Sequence, residues 1–209
     1  NSKEKINLPL SLTLDTNLQY LIRKELINAE TNFHNIGSGA ILMDVENGKI
    51  LSLVSLPDYD LNQRVSISDN IYTNKITLGV YELGSVFKTF TIAAGLENKL
   101  ISANTVFKNL KNSLTCDKYT INEHDALPKN LSTEQILIQS SNIGAVRIAQ
   151  KIGVEKYRIF LNSLELLNKI SFDFEEIGTP LSFKWGKCKL ATASYGHGIT
   201  TTPLQVARA

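Results

Sequence analysis

The sequence contains no long apolar stretch and little cysteine, and these two absences exclude several classes of protein. No run approaches the roughly 20 apolar residues of a membrane-spanning helix, and nothing at the start resembles a signal peptide. The two cysteines, Cys116 and Cys188, are too few for a disulfide framework and lack C-x-x-C spacing. We interpret them as two ordinary thiols, and a single disulfide is the alternative.

The charge and the histidine content argue against a nucleic-acid partner and a metal centre. The formal net charge is only +2, and lysine and arginine form no basic stripe. The histidines His34, His124 and His197 are too scattered for a zinc site, so we predict neither a metal nor a cofactor. The remaining composition, 43% hydrophobic and 20% charged over 209 residues, is that of one ordinary globular domain.

The first part of the chain, approximately residues 1–60, predicts a sheet with a helix packed on it. Alternating leucines over 8–14 indicate a half-buried strand, and Asp15 can cap a helix that follows. Apolar runs at 39–44 and 50–55 flank an Asn-Gly pair, which is a strong hairpin signal. We therefore expect an α+β fold built on an antiparallel sheet.

The rest of the chain predicts a helical lobe inserted into that sheet. Residues 57–84 read as a long polar loop, and approximately 85–165 as an all-α lobe. Residues 190–209 would return towards the sheet. Local caps support this, since Ser132 and Gln135 have the spacing of a capping box. Helices are predicted at 85–98, 132–139, 143–152 and 154–164, and from Pro203 onward after the cap residue Thr202.

Ser-x-x-Lys spacing occurs twice, as Ser2/Lys5 and Ser85/Lys88, and only the second copy begins a predicted helix. At a helix N-terminus the dipole and the free backbone N–H groups favour a serine nucleophile and its oxyanion. Lys88 lies one turn along on the same face, so its amine can reach the hydroxyl. It can act as a base only if its pKa falls by about 3 units from the usual value. The alternative is a capping serine followed by a solvated lysine.

Ser-x-Asn spacing is also ambiguous, and only one copy lies where a hydroxyl and an amide can face a cleft together. That copy is Ser140/Asn142, at the junction of two predicted helices, and its alternative role is a helix cap. One of the other copies precedes Ser85 in the irregular loop, and the other reads as a turn after the first lobe helix. The three pairs are Ser68/Asn70, Ser102/Asn104 and Ser140/Asn142.

These motifs lie in segments that resemble one known family. The stretch 82–91, ELGSVFKTFT, closely resembles the nucleophile segment of class B penicillin-binding proteins, and 139–144, QSSNIG, is similar to their second motif. The likeness covers nearly the whole chain in the family's order, so the chain resembles their transpeptidase domain. Further similar segments are 12–19, 39–60, 194–198 and 202–205.

The resemblance implies a peptidoglycan D,D-transpeptidase, of the division (septal) type more than the elongation type. Ser85 would attack the penultimate D-Ala carbonyl of a stem peptide, and Lys88 would accept the serine proton. Ser140 would relay a proton to the leaving group, and Asn142 would hold the substrate amide. The implied partners are stem peptides ending in D-Ala-D-Ala, β-lactam antibiotics, a cell-wall glycosyltransferase and other division proteins. The implied location is the periplasmic side of the bacterial inner membrane.

Two departures from the family pattern qualify these expectations. Leu83 stands where the family usually has proline, and no Lys-Thr-Gly or Lys-Ser-Gly occurs anywhere. In the family that third motif lies beyond the position of Ala209 and supplies part of the oxyanion hole. We therefore expect residues 1–209 to be a partial transpeptidase domain without its C-terminal strands and anchor. Loss of one oxyanion donor costs about 10²–10³ in rate, so the chain alone is expected to be a poor catalyst.

Two other functions use the same motifs. A serine β-lactamase shares Ser-x-x-Lys but also needs a group that activates water for deacylation. Glu165 and Asn168 resemble such a loop, with a spacing one residue too short. A non-catalytic β-lactam sensor or scaffold module is the other possibility, against which the retained serines and lysine argue.

Overall fold

The computed structural model describes residues 10–60, 62, 69–117, 119–173 and 175–209. They form two compact units, one ending at Ile76 and the other beginning at Thr77. Across these described ranges, no helix combines the length and the hydropathy that a bilayer crossing requires.

The first unit is a helix packed on a β-hairpin, as its sequence predicts. The carboxylate of Asp15 accepts hydrogen bonds from the first helical N–H groups, and Gly48 turns the hairpin with a φ of 71°. Gln19 on the helix donates to the carbonyl of Leu53 at 2.7 Å, which ties the helix to the second strand. The elements are α1 (Thr16–Phe33), β1 (Ser38–Met43), β2 (Ile50–Leu56) and α2 (Asp69–Tyr72), with β1 and β2 antiparallel.

The strand predicted from the leucines over 8–14 is wrong for its described part. Residues 10–14 are irregular, and Leu10 is 84% exposed. Hydrogen bonds join this part of the chain to the start of β2. Thr13 Oγ1 donates to the carbonyl of Ile50, and the N–H of Asp15 donates to the carbonyl of Leu51. Among the described residues of this segment, Leu10, Leu12 and Leu14 belong to no strand and remain exposed.

The second unit contains the helix Phe87–Glu97, which packs against three other helices, Thr133–Ile138, Asn142–Ile152 and Val154–Ser163. Its core includes the fully buried Phe87, Val146, Ile148 and Tyr157. Helices predicted from local caps and apolar spacing are confirmed, including the capping box of Ser132. The helices are α3 (Phe87–Glu97), α4 (Thr133–Ile138), α5 (Asn142–Ile152), α6 (Val154–Ser163), α7 (Lys187–Ala193) and α8 (Pro203–Arg208).

Short strands accompany the helices of the second unit. They lie between α3 and α4 and form two antiparallel pairs, β3 with β6 and β4 with β5. The lobe predicted as all-helical therefore also holds two small ribbons, too short for their alternation to stand out in the sequence. They are β3 (Val106–Phe107), β4 (Ser113–Cys116), β5 (Tyr119–Asn122) and β6 (Leu131–Ser132).

A disulfide joins the β4–β5 ribbon to helix α7, far along the chain. Cys116 at the end of β4 is bonded to Cys188 in α7, across a sequence separation of 72 residues. The interpretation of these cysteines as free thiols is therefore wrong. Only the packing of β4 beside α7 brings the two sulfurs together, and no local pattern reports it.

Candidate active site

A short 3₁₀ turn, Gly84–Val86, leads into α3 and leaves Ser85 exposed at its start. Phe87, the next residue, is fully buried, and its N–H donates to the carbonyls of Gly84 and Ser85. The turn is thus anchored in the hydrophobic core directly beside the serine. Burial of a phenylalanine contributes about 2–3 kcal/mol, which holds the backbone of the turn in place while its hydroxyl stays accessible.

The segment 194–198 lies against this turn so closely that position 196 must be glycine. A Cβ atom at Gly196 would stand 2.0 Å from the carbonyl oxygen of Gly84, so only glycine permits the approach. Thr91, on α3, donates through Oγ1 to the carbonyl of Ser194 at 2.7 Å. The start and the body of α3 are therefore both held by this returning segment.

The turn between α4 and α5 presents the second serine. The N–H of Ser141 donates to the carbonyl of Ile136, and that of Ser140 to Leu137, which is the hydrogen-bond pattern of a Schellman helix end. Ser140 takes the left-handed position of this motif with a φ of 52°. A non-glycine residue in that conformation costs about 1–2 kcal/mol. Such strain is often found where a side chain must point in one direction.

The amine of Lys88 bridges the two turns. Its Nζ lies 3.1 Å from Ser85 Oγ and 2.9 Å from Ser140 Oγ, and it also donates to the carbonyl of Ser140. The two hydroxyls are themselves 3.1 Å apart, with Ser140 as donor. The structure therefore brings Ser85, Lys88 and Ser140 into one hydrogen-bonded triangle, at distances suited to proton transfer.

Lys88 is buried although it carries an ionisable group. Only 2% of the residue is exposed, while Ser85 and Ser140 face solvent. Burial lowers the pKa of the Lys88 amine below its ordinary value of 10.5, and the nearby carboxylate of Glu123 opposes this by raising it. Desolvation thus moves the pKa of Lys88 in the direction that a neutral lysine base requires.

Asn142 lies at the first position of α5 and is half-buried. Its side-chain N–H donates to the carbonyl of Asn122 at 2.9 Å, which orients the amide. The four predicted residues share one open cleft of about 210 Å³. The cleft is lined by Ser85, Lys88, Glu123, His124, Asp125, Leu127, Gln139, Ser140 and Asn142.

Glu123 is a site residue that the sequence analysis missed. It follows β5 in an irregular stretch, and its carboxylate accepts hydrogen bonds from Ser141, Asn142 and Ile143 at the start of α5. The contact spans 18 to 20 positions, so no local spacing reports it. Its only local signal is an acidic residue directly after the short strand Tyr119–Asn122, and that signal is not specific.

The competing motif copies do not enter the cleft, or fall where nothing is described. Ser102 forms a turn with Thr105 after α3, as predicted. Ser68, Ser2 and Lys5 lie outside the described residues. The carbonyl of Glu165 accepts from Gln205, and this glutamate does not line the cleft. Within the described ranges, no three His, Cys, Asp or Glu side chains are grouped to hold a metal ion.

Comparison with known proteins gives consistent matches over most of the chain. The family model described as the penicillin-binding protein transpeptidase domain matches residues 38–209. The chain is 31% identical to the probable peptidoglycan D,D-transpeptidase FtsI of Caulobacter vibrioides, over 96% of this chain and 34% of that protein. It spans from about a third to about half of the length of the curated relatives it matches.

Solved structures give the same fold. The TP domain of Burkholderia pseudomallei penicillin-binding protein 3, in an apo structure, is 26% identical with a TM-score of 0.81. That match covers 94% of this chain and 55% of the other. Penicillin-binding protein 3 of Mycobacterium tuberculosis, complexed with aztreonam, has a TM-score of 0.85 at 22% identity, over 93% of this chain and 44% of its own. The predicted α+β fold is confirmed.

The matched region contains the whole candidate site. Residues 38–209 include both turns, the buried lysine and the first residue of α5. The chain therefore belongs to the penicillin-binding protein transpeptidase domain family.

Proposed function

We propose that this chain is part of a division-type peptidoglycan D,D-transpeptidase that works through an acyl-serine intermediate. The observation that carries the proposal is the position of the Lys88 amine within 3.1 Å of Ser85 Oγ and 2.9 Å of Ser140 Oγ. Family membership and relatives named as D,D-transpeptidases support the same reaction. Residues 1–209 are proposed to form a partial transpeptidase domain, in which 77–207 hold the nucleophile.

The proposed first step is acylation of the serine. Neutral Lys88 takes the proton of Ser85 while Oγ attacks the penultimate D-Ala carbonyl of a stem peptide, forming a tetrahedral oxyanion. The C–N bond to the terminal D-Ala then breaks, and Ser140 passes a proton to the departing amine. Lys88 can reprotonate Ser140, since the two side chains are within 2.9 Å.

The proposed second step transfers the acyl group to an amine of a neighbouring stem peptide. The amine attacks the ester, loses its proton through the same groups, and releases Ser85 with its proton restored. Asn142, held by the carbonyl of Asn122, is placed to orient the substrate amide in the cleft. A β-lactam would acylate Ser85 by opening its ring, which retains the leaving nitrogen in the adduct.

The decisive experiment is labelling of the full protein that carries this chain with a fluorescent penicillin. We expect one covalent adduct per molecule, located on Ser85 by peptide mass spectrometry. The Ser85→Ala variant should give none, while the folded state is retained by circular dichroism. A stable adduct on another residue, or equal labelling of the alanine variant, would refute the proposal.

The β-lactamase alternative is separated by turnover rather than by labelling. A transpeptidase holds its acyl-serine for a long time, so a chromogenic cephalosporin should be hydrolysed only slowly. Rapid, repeated turnover would favour a β-lactamase. Glu165, the residue considered for activating water, does not line the cleft, which supports the transpeptidase.

We propose that the protein acts on the extracytoplasmic side of the bacterial inner membrane, with division proteins and a cell-wall glycosyltransferase as partners. The Cys116–Cys188 disulfide supports this location, because disulfides persist in oxidising compartments and are rare in the cytosol. Thiol alkylation of intact cells before lysis tests it. Both cysteines should resist alkylation until a reductant is added.

A further inference from the structure

Glu123 makes a concentrated set of contacts with the start of α5. One carboxylate oxygen accepts from Ser141 Oγ at 2.6 Å and from the N–H of Ile143 at 2.9 Å. The other oxygen accepts from the N–H of Asn142 at 2.7 Å. Hydrogen bonds to a charged acceptor are stronger than neutral ones, and the N-terminus of a helix favours negative charge. This side chain therefore holds three consecutive residues of the turn.

These contacts fix the two groups that face the cleft. Ser140 precedes the held residues, and Asn142 is one of them, with its amide also bound by the carbonyl of the neighbouring Asn122. Asn122 and Glu123 together thus bind both backbone N–H groups and side chains at the start of α5. A shift of this turn would move Ser140 Oγ away from Lys88 Nζ and Ser85 Oγ, which lie 2.9 Å and 3.1 Å from it.

Glu123 also faces Lys88 electrostatically across the cleft. Its negative charge favours the protonated amine, which opposes the effect of burial on the pKa of Lys88. The other charged or titratable groups lining the cleft are His124 and Asp125, and both are exposed, so solvent screens them. Among the cleft-lining groups, Glu123 is therefore the carboxylate whose charge changes the pKa of Lys88.

We propose that Glu123 is a positioning residue of this site, which holds Ser140 beside Lys88 and Asn142 in the cleft lining, and sets the pH range in which Lys88 is a base. This inference rests on the proposed acyl-serine function. The residue acts through the α5 turn and through its charge, and it forms no bond with the substrate.

The test is the rate of acylation by a fluorescent penicillin between about pH 6 and pH 10 in wild type and Glu123→Gln. Glutamine has the same shape, but its NH₂ group cannot accept a hydrogen bond, so at least one contact is lost. We expect the plateau rate to fall about 10–100-fold, as misplacement of a reacting group by about 1 Å does. We also expect the rising limb of the profile to move to lower pH, because the charge that favours protonated Lys88 is gone.

A matched control removes a carboxylate from another helix start. Glu134 lies exposed in the first turn of α4, outside the cleft lining, and Glu134→Gln should leave both the plateau and the limb unchanged. A Glu123→Gln profile with the wild-type plateau and the wild-type limb would overturn the proposal. A fall in thermal stability with an unshifted limb would assign Glu123 a structural role only, and would also overturn it.

A second variant covers the case in which Glu123→Gln does not fold. Ser141→Ala removes one of the three contacts to Glu123, together with the cap on Gly144, and keeps the charge, so the plateau should fall while the limb stays in place. An unchanged plateau would overturn the proposal. Wild-type protein that fails to label on Ser85 would instead refute the proposed function, which keeps the two failures distinct.

Discussion

The two turns that supply hydroxyls to the cleft are held by different forces. The Ser85 turn is fixed by apolar burial, because Phe87 beside it has no exposed surface and no side chain caps the helix start. The Ser140 turn is fixed by polar contacts, namely the Ser141 cap on Gly144 and the carboxylate of Glu123. Apolar burial tolerates small displacements, whereas hydrogen bonds specify direction. The turn that carries the exposed nucleophile is thus anchored in the core, and the partner hydroxyl is oriented by hydrogen bonds.

Lys88 belongs to the first turn by sequence and to the second by contact. It lies on α3, yet its amine donates to both the hydroxyl and the carbonyl of Ser140. Burial lowers the pKa of the Lys88 amine, while the negative charge of Glu123 raises it. Apolar burial and polar contacts therefore both act on the Lys88 amine.

The largest effect is expected from removing that amine. Lys88→Met keeps the buried length of the side chain but leaves Ser85 without a base, so acylation by a fluorescent penicillin should fall about 10²–10⁴-fold. The wild-type rate should rise with pH through the lowered pKa of Lys88, because the neutral amine accepts the proton. Lys151→Met, on the exposed last turn of α5, is the control. A Lys88→Met rate within about ten-fold of wild type would contradict the assignment of the base.

The apolar support is broken by Phe87→Ala. Emptying this buried site should lower the free energy of unfolding by about 3–5 kcal/mol, through lost transfer energy and the cavity left behind. Val86, its neighbour, is 48% exposed, so Val86→Ala should change stability by only about 0.5 kcal/mol. Chemical denaturation of both variants measures the difference. Equal losses would show that the core does not anchor the turn.

The β4–β5 ribbon, which directly precedes Glu123, is tested through its disulfide. Replacing Cys116 and Cys188 together by serine should lower the free energy of unfolding by about 2–4 kcal/mol, since the bond closes a loop of 72 positions. Adding a reductant to wild type should give a similar loss in a denaturation curve. The double variant should not respond to the reductant. A wild-type curve unaffected by complete reduction would show that the ribbon is held by packing alone.

The smallest effect sharpens the role of serine caps. Ser132 caps α4 in a capping box, as Ser141 caps α5, but it does not line the cleft. Ser132→Ala should therefore lower the free energy of unfolding by about 1 kcal/mol, measured by denaturation, and leave the acylation rate unchanged. A large fall in acylation would mean that loss of any cap in the lobe disturbs the site.

Local signals predicted much of the fold because helix ends and tight turns are settled within a few residues. Asp15, Ser132 and Thr202 cap helices as their spacing indicates, and Gly48 turns the hairpin. The same local reasoning fails for the leucines over 8–14. Alternation predicts a strand only when a partner edge is available, and the described part of that segment has none.

The site was predicted unevenly for a related reason. Ser85 and Lys88 are three residues apart, in the 3₁₀ turn and in the first turn of α3 that continues it, so their contact follows from helical geometry. Ser140 and Asn142 were singled out by their spacing at a helix junction, the family resemblance gave their roles, and only the fold shows that they line the same cleft as Ser85. Glu123 escaped altogether, since an acidic residue in an irregular segment has no spacing rule to mark it.

The sequence by itself determined the helix caps, the hairpin turn and the serine–lysine spacing at the start of α3, because these depend on neighbours within one turn of backbone. Only the tertiary structure decided that Lys88 meets Ser140 across 52 positions and that Cys116 meets Cys188 across 72. Such contacts depend on which helix faces pack together, and burial of the whole core selects that packing. Each turn of the cleft is therefore determined by local sequence, whereas the meeting of the two turns is determined by the packing of the whole core.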